Sequence, residues 1–382
     1  VDDLTRMLTA KPLNRRSFLA ASGLGLSAAA LAACSTGSSS PAPSGDASAP
    51  PAGDVEDELY IYNWSDYINP DNMTKFTEEF GAAITYDVFA NNDELLAKLQ
   101  GGASAYDIAC PTAEYVPAMR DGGFLQKLDL SRIPNQQYIN AAFKGLAWDP
   151  TDEWQLPKDY GTTGLLYRSK LVTDPLTSWK EFFELAKGKH SGKVVVVDSM
   201  GDVFTFPLKM LGYSLNSQDK DELEEARQIL LELAPHVLAL DSDLYGDKLA
   251  SEEAAIALAW TGPIVELRAN PDTADTMWVN PSEGTLFWLD TWVMLADAPH
   301  PNASYAWLDF IHRPEIQGDE TNYNGYATPS DAAKEFVDPE LLADPAIFPS
   351  DDVIAKLEGA EDTSGNTQRI EIWEEFKSAV GG

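Results

Sequence analysis

Five short segments hold most of the side chains able to do chemistry, and they share one character. They are Asn63-Trp64-Ser65-Asp66-Tyr67, Pro111-Thr112-Ala113-Glu114-Tyr115, Asp198-Ser199-Met200-Gly201-Asp202, Trp260-Thr261-Gly262-Pro263 and Phe287-Trp288-Leu289-Asp290. Each mixes hydroxyls, aromatic rings or carboxylates. Trp288 and Asp290 stand two apart, so in an extended segment they project to one side and can present an indole and a carboxylate to one cavity. That pairing suits an organic cation: a carboxylate hydrogen-bonds an ammonium group, and a ring face adds roughly 0.5 to 2 kcal/mol of cation–π attraction while covering methylenes. Two other readings of these residues stay open. Most of the ten Trp fill core in an ordinary globular protein. An acidic pair such as Asp198 and Asp202, set beside aromatics, is also what a glycoside hydrolase uses.

Other chemistries find no support. The four histidines, His190, His236, His300 and His312, are scattered without metal-ligand spacing and read as surface or turn residues. There is no P-loop, no G-x-G-x-x-G after a strand, no G-x-S-x-G and no H-E-x-x-H, so no metal, cofactor or catalytic residue is expected. Of the two cysteines, Cys110 ends an apolar run from Tyr106 and reads as a small buried hydrophobe, and no intrachain disulfide is expected.

The elements that must position these segments alternate in type. Leu59–Tyr62 and Ile84–Phe89 read as strands, with helices over Asn72–Phe80 and Asn92–Leu99. A second unit follows, with an apolar strand at Val194–Val197 and an amphipathic helix over Asp221–Leu233 whose Leu223, Ala226, Ile229, Leu230 and Leu233 share a face. Such βαβ alternation predicts an α/β class with mostly parallel sheets, in which ligands bind outside the carboxyl ends of strands. Four of the five segments directly follow an apolar, strand-like run.

The chain is long enough for one large domain or two ordinary ones, at 382 residues with 44% hydrophobic content. With 27 basic against 61 acidic side chains, its net charge of -34 and lack of any basic patch exclude nucleic acid and anionic lipid surfaces as partners. The same charge attracts cations, or simply solvates the surface.

Residues 1–33 read as an export signal. Asn14-Arg15-Arg16-Ser17-Phe18-Leu19 is a twin-arginine pattern, followed by a weakly apolar run to Ala33 and then by Leu31-Ala32-Ala33-Cys34, the form of a lipoprotein cleavage site. The run is too short and too rich in Ser and Gly for a membrane span, which needs about 20 apolar residues. Cys34 is therefore the expected site of lipidation. Residues 34–57, made of Ser, Pro, Gly, Ala and a few acids, read as a flexible tether to the outer face of the cytoplasmic membrane.

From Glu58 to about Lys377 the chain resembles the polyamine-binding proteins of ABC importers. The markers are Leu59–Tyr67 (LYIYNWSDY), Tyr106–Thr112, Gly192–Gly212, Ala259–Gly262, Gly284–Asp290 (GTLFWLD) and Asn324–Pro329 (NGYATP). The resemblance implies a two-lobed periplasmic-binding fold of type II, each lobe a mixed, mostly parallel sheet flanked by helices, closing by a hinge on a ligand in the cleft. It places lobe 1 at 58–161 plus 288–335 and lobe 2 at 162–287 plus 336–382. Trp64, Ser65, Asp66 and Tyr67 would line the cleft with Thr112 and Glu114, while Ser199, Asp202, Trp260, Trp288, Asp290 and Tyr326 complete it. Asp202 and Asp290 would pair with ammonium groups, and Trp64, Trp260 and Trp288 would enclose the methylene chain.

The sequence also departs from the family at points bearing on specificity. Ser199 stands where spermidine receptors tend to carry an acid, Glu114 where they tend to carry an aromatic, and Pro263 where putrescine-preferring relatives carry another acid. A carboxylate has in effect moved across the cleft, from position 199 to Glu114. The implied partners are a polyamine, putrescine or spermidine, and an ABC permease with its ATPase subunits, with a monomeric receptor touching the membrane only through its lipid. Alternatives from other classes are a receptor for a sugar, an amino acid or another cation, a sensor or adhesin, and the carboxylate-dyad hydrolase.

Overall fold

The computed structural model describes residues 52–102, 105–146, 148–363 and 365–380. The export signal of 1–33, Cys34 and the tether as far as Pro51 lie outside the described residues. Residues 52–57, expected as the end of that tether, are instead docked. Glu56 accepts hydrogen bonds from Asn302 Nδ2 (2.9 Å) and the Ala303 N–H (2.7 Å), and the Gly53 N–H donates to Asn302 Oδ1 (2.9 Å). Composition hid this, because the carboxylate caps a helix N-terminus that lies 246 residues away.

Two sheets organise the chain. The first contains β1 (Glu58–Asn63), β2 (Ala83–Val88), β3 (Ile108–Ala109), β4 (Leu156–Thr162), β10 (Thr285–Met294) and β11 (Leu357–Gly359), in the order β11-β10-β3-β1-β2 with β4 beside β10. β1 runs parallel to β2 and β3, whereas β10 is antiparallel to β3 and β4. The second sheet has the order β7-β6-β8-β5-β9, built from β5 (Gly164–Arg168), β6 (Val194–Val196), β7 (Val237–Leu240), β8 (Ile256–Ala259) and β9 (Thr276–Val279). Only Thr163 separates β4 from β5, so the chain changes sheet there. It returns between Val279 and Thr285, and β10 then runs unbroken across the boundary drawn at 287/288.

Local chemistry sets the helix ends. α1 (Pro70–Phe80) starts two residues before the expected Asn72 because Asn69 caps it, its side chain accepting from the Asp71 N–H, with Pro70 in the first turn. α2 (Asn92–Gln100) is capped in the same way by Asn91. In the second unit lie α3 (Trp179–Lys187), α4 (Met200–Leu211), α5 (Lys220–Leu233), α6 (Tyr245–Ala250) and α7 (Ile264–Ala269). α8 (Pro301–Ile311) and α9 (Pro314–Asn324) cover the first sheet, and α10 (Thr367–Ala379) closes the second core with Ile372, Trp373 and Phe376. The all-Val β6 is buried on both faces, as a parallel central strand must be.

Two of the four histidines lie in turns, as one half of the reading had it, but not at the surface. His190 and His312 are buried. His312 sets Nδ1 2.6 Å from the Leu308 carbonyl and Nε2 3.1 Å from that of Pro157, tying the end of α8 to the start of β4. Cys110 is free, buried and held well above its ordinary pKa by desolvation, as an inert core thiol should be. Among the described residues no helix is long and apolar enough to cross a membrane.

Candidate functional site

The strand-end segments converge on one cavity of about 640 Å³ between the two sheets. All twelve residues singled out from the sequence line it: Trp64, Ser65, Asp66, Tyr67, Thr112, Glu114, Ser199, Asp202, Trp260, Trp288, Asp290 and Tyr326. Asp198 does not, lining instead a separate hollow with Asp93 and Trp373. Asp198 and Asp202 therefore do not line the same cavity.

On the first side, β1 ends at Asn63 and releases Trp64 into the wall. Its indole N–H donates to the Cys110 carbonyl (3.0 Å), and Tyr86 donates to the Trp64 carbonyl (2.6 Å). Asp66, exposed at the mouth, holds the turn with a φ of 49°. That turn swings Tyr67 back inside, where its hydroxyl donates to Asp290 Oδ2 (2.7 Å). Thr112 forms a bridge with Asp290, and its side chain is also hydrogen-bonded to that carboxylate. Asn92 braces Thr112 by two hydrogen bonds, of 2.8 and 3.0 Å.

β10 carries both Trp288 and Asp290. Trp288 lies on the backbone of Gly161, its partner across the β4–β10 ladder, where an added Cβ would sit 2.4 Å from the indole. The Trp288 N–H is buried without a partner among the described residues, and the ring meets Tyr326 edge-on at 5.0 Å. Tyr326 also meets Tyr67 edge-on, at 5.4 Å. A corner of three rings thus stands beside Asp290.

The second sheet supplies the opposite wall. Asp202, in the first turn of α4, accepts from Ser199 Oγ (2.5 Å), Trp260 Nε1 (2.9 Å) and the Thr163 hydroxyl. Ser199 thus acts through Asp202, since its hydroxyl is committed there. Those donors occupy three of the carboxylate's roughly four acceptor positions. Trp260 faces Trp64 across the cavity, with centroids 6.0 Å apart.

The electrostatics are those of crowded acids. Burial pushes the Asp290 carboxyl up to about 7, against the pull of Tyr67, Thr112 and Lys158. Burial, together with the fields of Asp290, Asp202 and Asp362, pushes Glu114 up to about 8. Asp202 is raised too, by burial that its three donors only partly offset. Several carboxyls that resist ionisation together, walled by indole and phenol rings, form a site that gains most from an elongated guest with more than one positive charge. Among the described residues no group of three or more His, Cys, Asp or Glu is placed to hold a metal ion.

Sequence reasoning missed part of the lining. Asp243 and Tyr245 sit just beyond β7, where the strand-end rule would have found them had Val237–Leu240 been recognised as a strand. Ser65 Oγ donates to Asp243 Oδ1 (2.5 Å) across the mouth, and Tyr245 hydrogen-bonds with the Tyr326 hydroxyl across the cavity. Glu361, Asp362 and Thr363 close one end; they follow β11, whose Leu357-Glu358-Gly359 carries no apolar run to mark it as a strand.

Comparison with known proteins gives a consistent picture. Residues 72–349 match the family described as bacterial extracellular solute-binding protein. The spermidine/putrescine-binding periplasmic protein of Escherichia coli is 30% identical over 85% of this chain and 91% of its own length. A putrescine-binding periplasmic protein of Pseudomonas aeruginosa is 32% identical, over 84% of this chain and 92% of its own. Among solved structures, a putative spermidine/putrescine ABC transporter protein of Listeria monocytogenes superposes with a TM-score of 0.79 at 29% identity, covering 84% of this chain and 99% of that one.

Proposed function

Since the chain belongs to the bacterial extracellular solute-binding proteins, in the polyamine-binding group of ABC importers and with the type II periplasmic-binding fold, we propose that its cleft captures a linear polyamine for a permease. The observation that carries this reading is the meeting of Asp202, Asp290 and Glu114 with Trp64, Trp260, Trp288, Tyr67 and Tyr326 around one cavity. Asp290, to which Tyr67 and Thr112 donate, takes one ammonium group. Glu114 has no side-chain partner among the described residues and takes another. Asp202 holds Trp260 in place and offers its remaining acceptor position. The indoles of Trp64 and Trp260 cover the methylenes between. Each desolvated acid–ammonium pair carries a solvation cost, so aromatic enclosure and preorganisation contribute as much to affinity as the count of charges.

The protein delivers its ligand to a permease and catalyses nothing. It is exported by the twin-arginine signal and anchored through Cys34, a part of the proposal that rests on sequence alone. The test is thermal unfolding against a panel of putrescine, spermidine, neutral sugars and amino acids. A ligand present at 100 times its Kd stabilises by about 2.7 kcal/mol. Putrescine or spermidine should therefore raise the melting temperature by several degrees while the sugars and amino acids do not. A rise with a sugar or amino acid and none with a polyamine would replace the ligand assigned here.

Affinity should also depend on pH. An ammonium ligand favours ionised carboxylates, so at pH 6, below the Asp290 midpoint of about 7, binding must expel a proton. Ionising Asp290 alone makes affinity rise about tenfold between pH 6 and 8, and Glu114, with its midpoint of about 8, steepens the rise to roughly a hundredfold or more, with proton release at the lower pH visible as a buffer-dependent binding enthalpy. The empty protein should behave in the opposite sense. Carboxyls raised in the folded state contribute stability that is present in acid and lost as pH climbs through about 7 for Asp290 and 8 for Glu114. A binding enthalpy that is independent of buffer at pH 6 would contradict this coupling.

A further inference from the structure

Behind the cleft wall lies a cation that the polyamine reading does not use. Lys158, on β4, and its neighbour Asp159 form an ion pair in which both side chains are only 3% exposed. The Lys158 ammonium stands over the Tyr67 ring at 3.6 Å from its centroid, and the hydroxyl of the same tyrosine reaches Asp290. Asp159 also accepts from Asn324 Nδ2 (2.8 Å), and Asn324 Oδ1 in turn accepts the Tyr326 N–H (3.0 Å). In the β4–β10 ladder Asp159 is the residue directly opposite Asp290. One buried pair thus touches the supports of both tyrosines and the strand position of the acid.

We propose that Lys158 is a positioning residue of the cleft: its buried ammonium fixes the Tyr67 ring against Asp290, holds through Asp159 and Asn324 the turn that presents Tyr326, and supplies the counter-charge that lets Asp290 ionise. The groups facing it from the surrounding elements are Asp159 on β4, Glu320 on α9, Asp290 on β10, Tyr67 after β1 and Cys110 after β3. Burial opposes the charge on Lys158, but Asp159 and Glu320 outweigh it and leave the ammonium above its ordinary pKa. A cation built into the wall of a cation-binding cleft would repel the ligand if it faced the cavity. Here Asp159 and Glu320 face its charge, and Lys158 is absent from the lining.

The inference rests on the polyamine reading only for its affinity arm. In Lys158→Met, about tenfold or more of the affinity for putrescine and spermidine should be lost at pH 7, with part of it recovered at pH 8.5 as Asp290 ionises. The second arm needs no ligand: the ionisation midpoint of Asp290, followed as the carboxyl carbon resonance missing from Asp290→Asn, should move up by about one unit. An unmoved midpoint, or wild-type affinity in a folded Lys158→Met protein, overturns the proposal. If the single variant fails to fold, Lys158→Met with Glu320→Gln removes one charge of each sign and should show the same midpoint shift. A wild-type protein that binds no polyamine would sink the ligand assignment alone, and the Asp290 midpoint would still decide the role of Lys158.

Discussion

Asp290→Asn should abolish polyamine binding, weakening it by roughly a hundredfold or more, while leaving the protein at least as stable at pH 8. The two halves of this expectation have one cause. Asp290 is 6% exposed, on a strand whose ten residues are all buried, and burial holds its carboxyl near 7. With a polyamine bound, the carboxylate is repaid by an ammonium group, and truncating one partner of such a buried pair costs about 3 kcal/mol or more. Without ligand, ionising it at pH 8 works against folding, so the neutral amide removes a burden. Asn still offers an oxygen to the Tyr67 hydroxyl, now 2.7 Å from Oδ2. Isothermal titration and a melting curve on the same sample check both halves. Undiminished affinity would show that the ligand's charge is read elsewhere.

The second large effect lies where the walls meet. Gly262, just after Trp260, comes so close to Tyr326 that an added Cβ would stand 2.5 Å from its hydroxyl. Tyr326 cannot swing away freely, since its ring is set against Tyr67 and Trp288 and its hydroxyl bonds with Tyr245. Gly262→Val must therefore displace this ring corner or hold the walls apart. Overpacking of this kind costs roughly 1 to 3 kcal/mol. Because the strain falls on the ring corner beside Asp290, it should appear as a ten- to hundredfold loss of affinity, carried mainly by faster release. The contact is made in this structure, so the unliganded protein should melt lower as well. Stopped-flow release rates with a melting control measure this, and a wild-type release rate would mean that the Gly262–Tyr326 contact is not made on the ligand.

Much of the site was legible because parallel βαβ units place function at strand ends. Trp64 follows β1, Ser199 and Asp202 follow β6, and Trp260 follows β8, so the apolar strand and the polar residues after it are adjacent in sequence. Trp288 and Asp290 were legible for another reason, the two-residue period of a strand. What escaped depends on contacts distant in sequence. Its neighbour Asp159 does not by itself mark Lys158 as buried, since its acceptability inside also rests on Glu320 and the Tyr67 ring arriving from two other elements. The burial of His312 likewise depends on the Pro157 carbonyl, 155 residues away. Glu56 was read as tether because its partners, Asn302 and Ala303, belong to a helix the tether's composition cannot reveal. Asp243 and Tyr245 were missed for a simpler cause, a short strand, β7, that is only partly buried and carries little pattern.

The central claim is that this cleft recognises a linear polycation through acids and rings, and isothermal titration of the protein with putrescine and with spermidine at moderate salt tests it most directly. One-to-one binding with a Kd of about micromolar or tighter, absent for a neutral diol of matching length, is the result predicted by the acids and rings assembled around Asp290. Absence of heat with either amine, in a protein that still unfolds cooperatively, would contradict it.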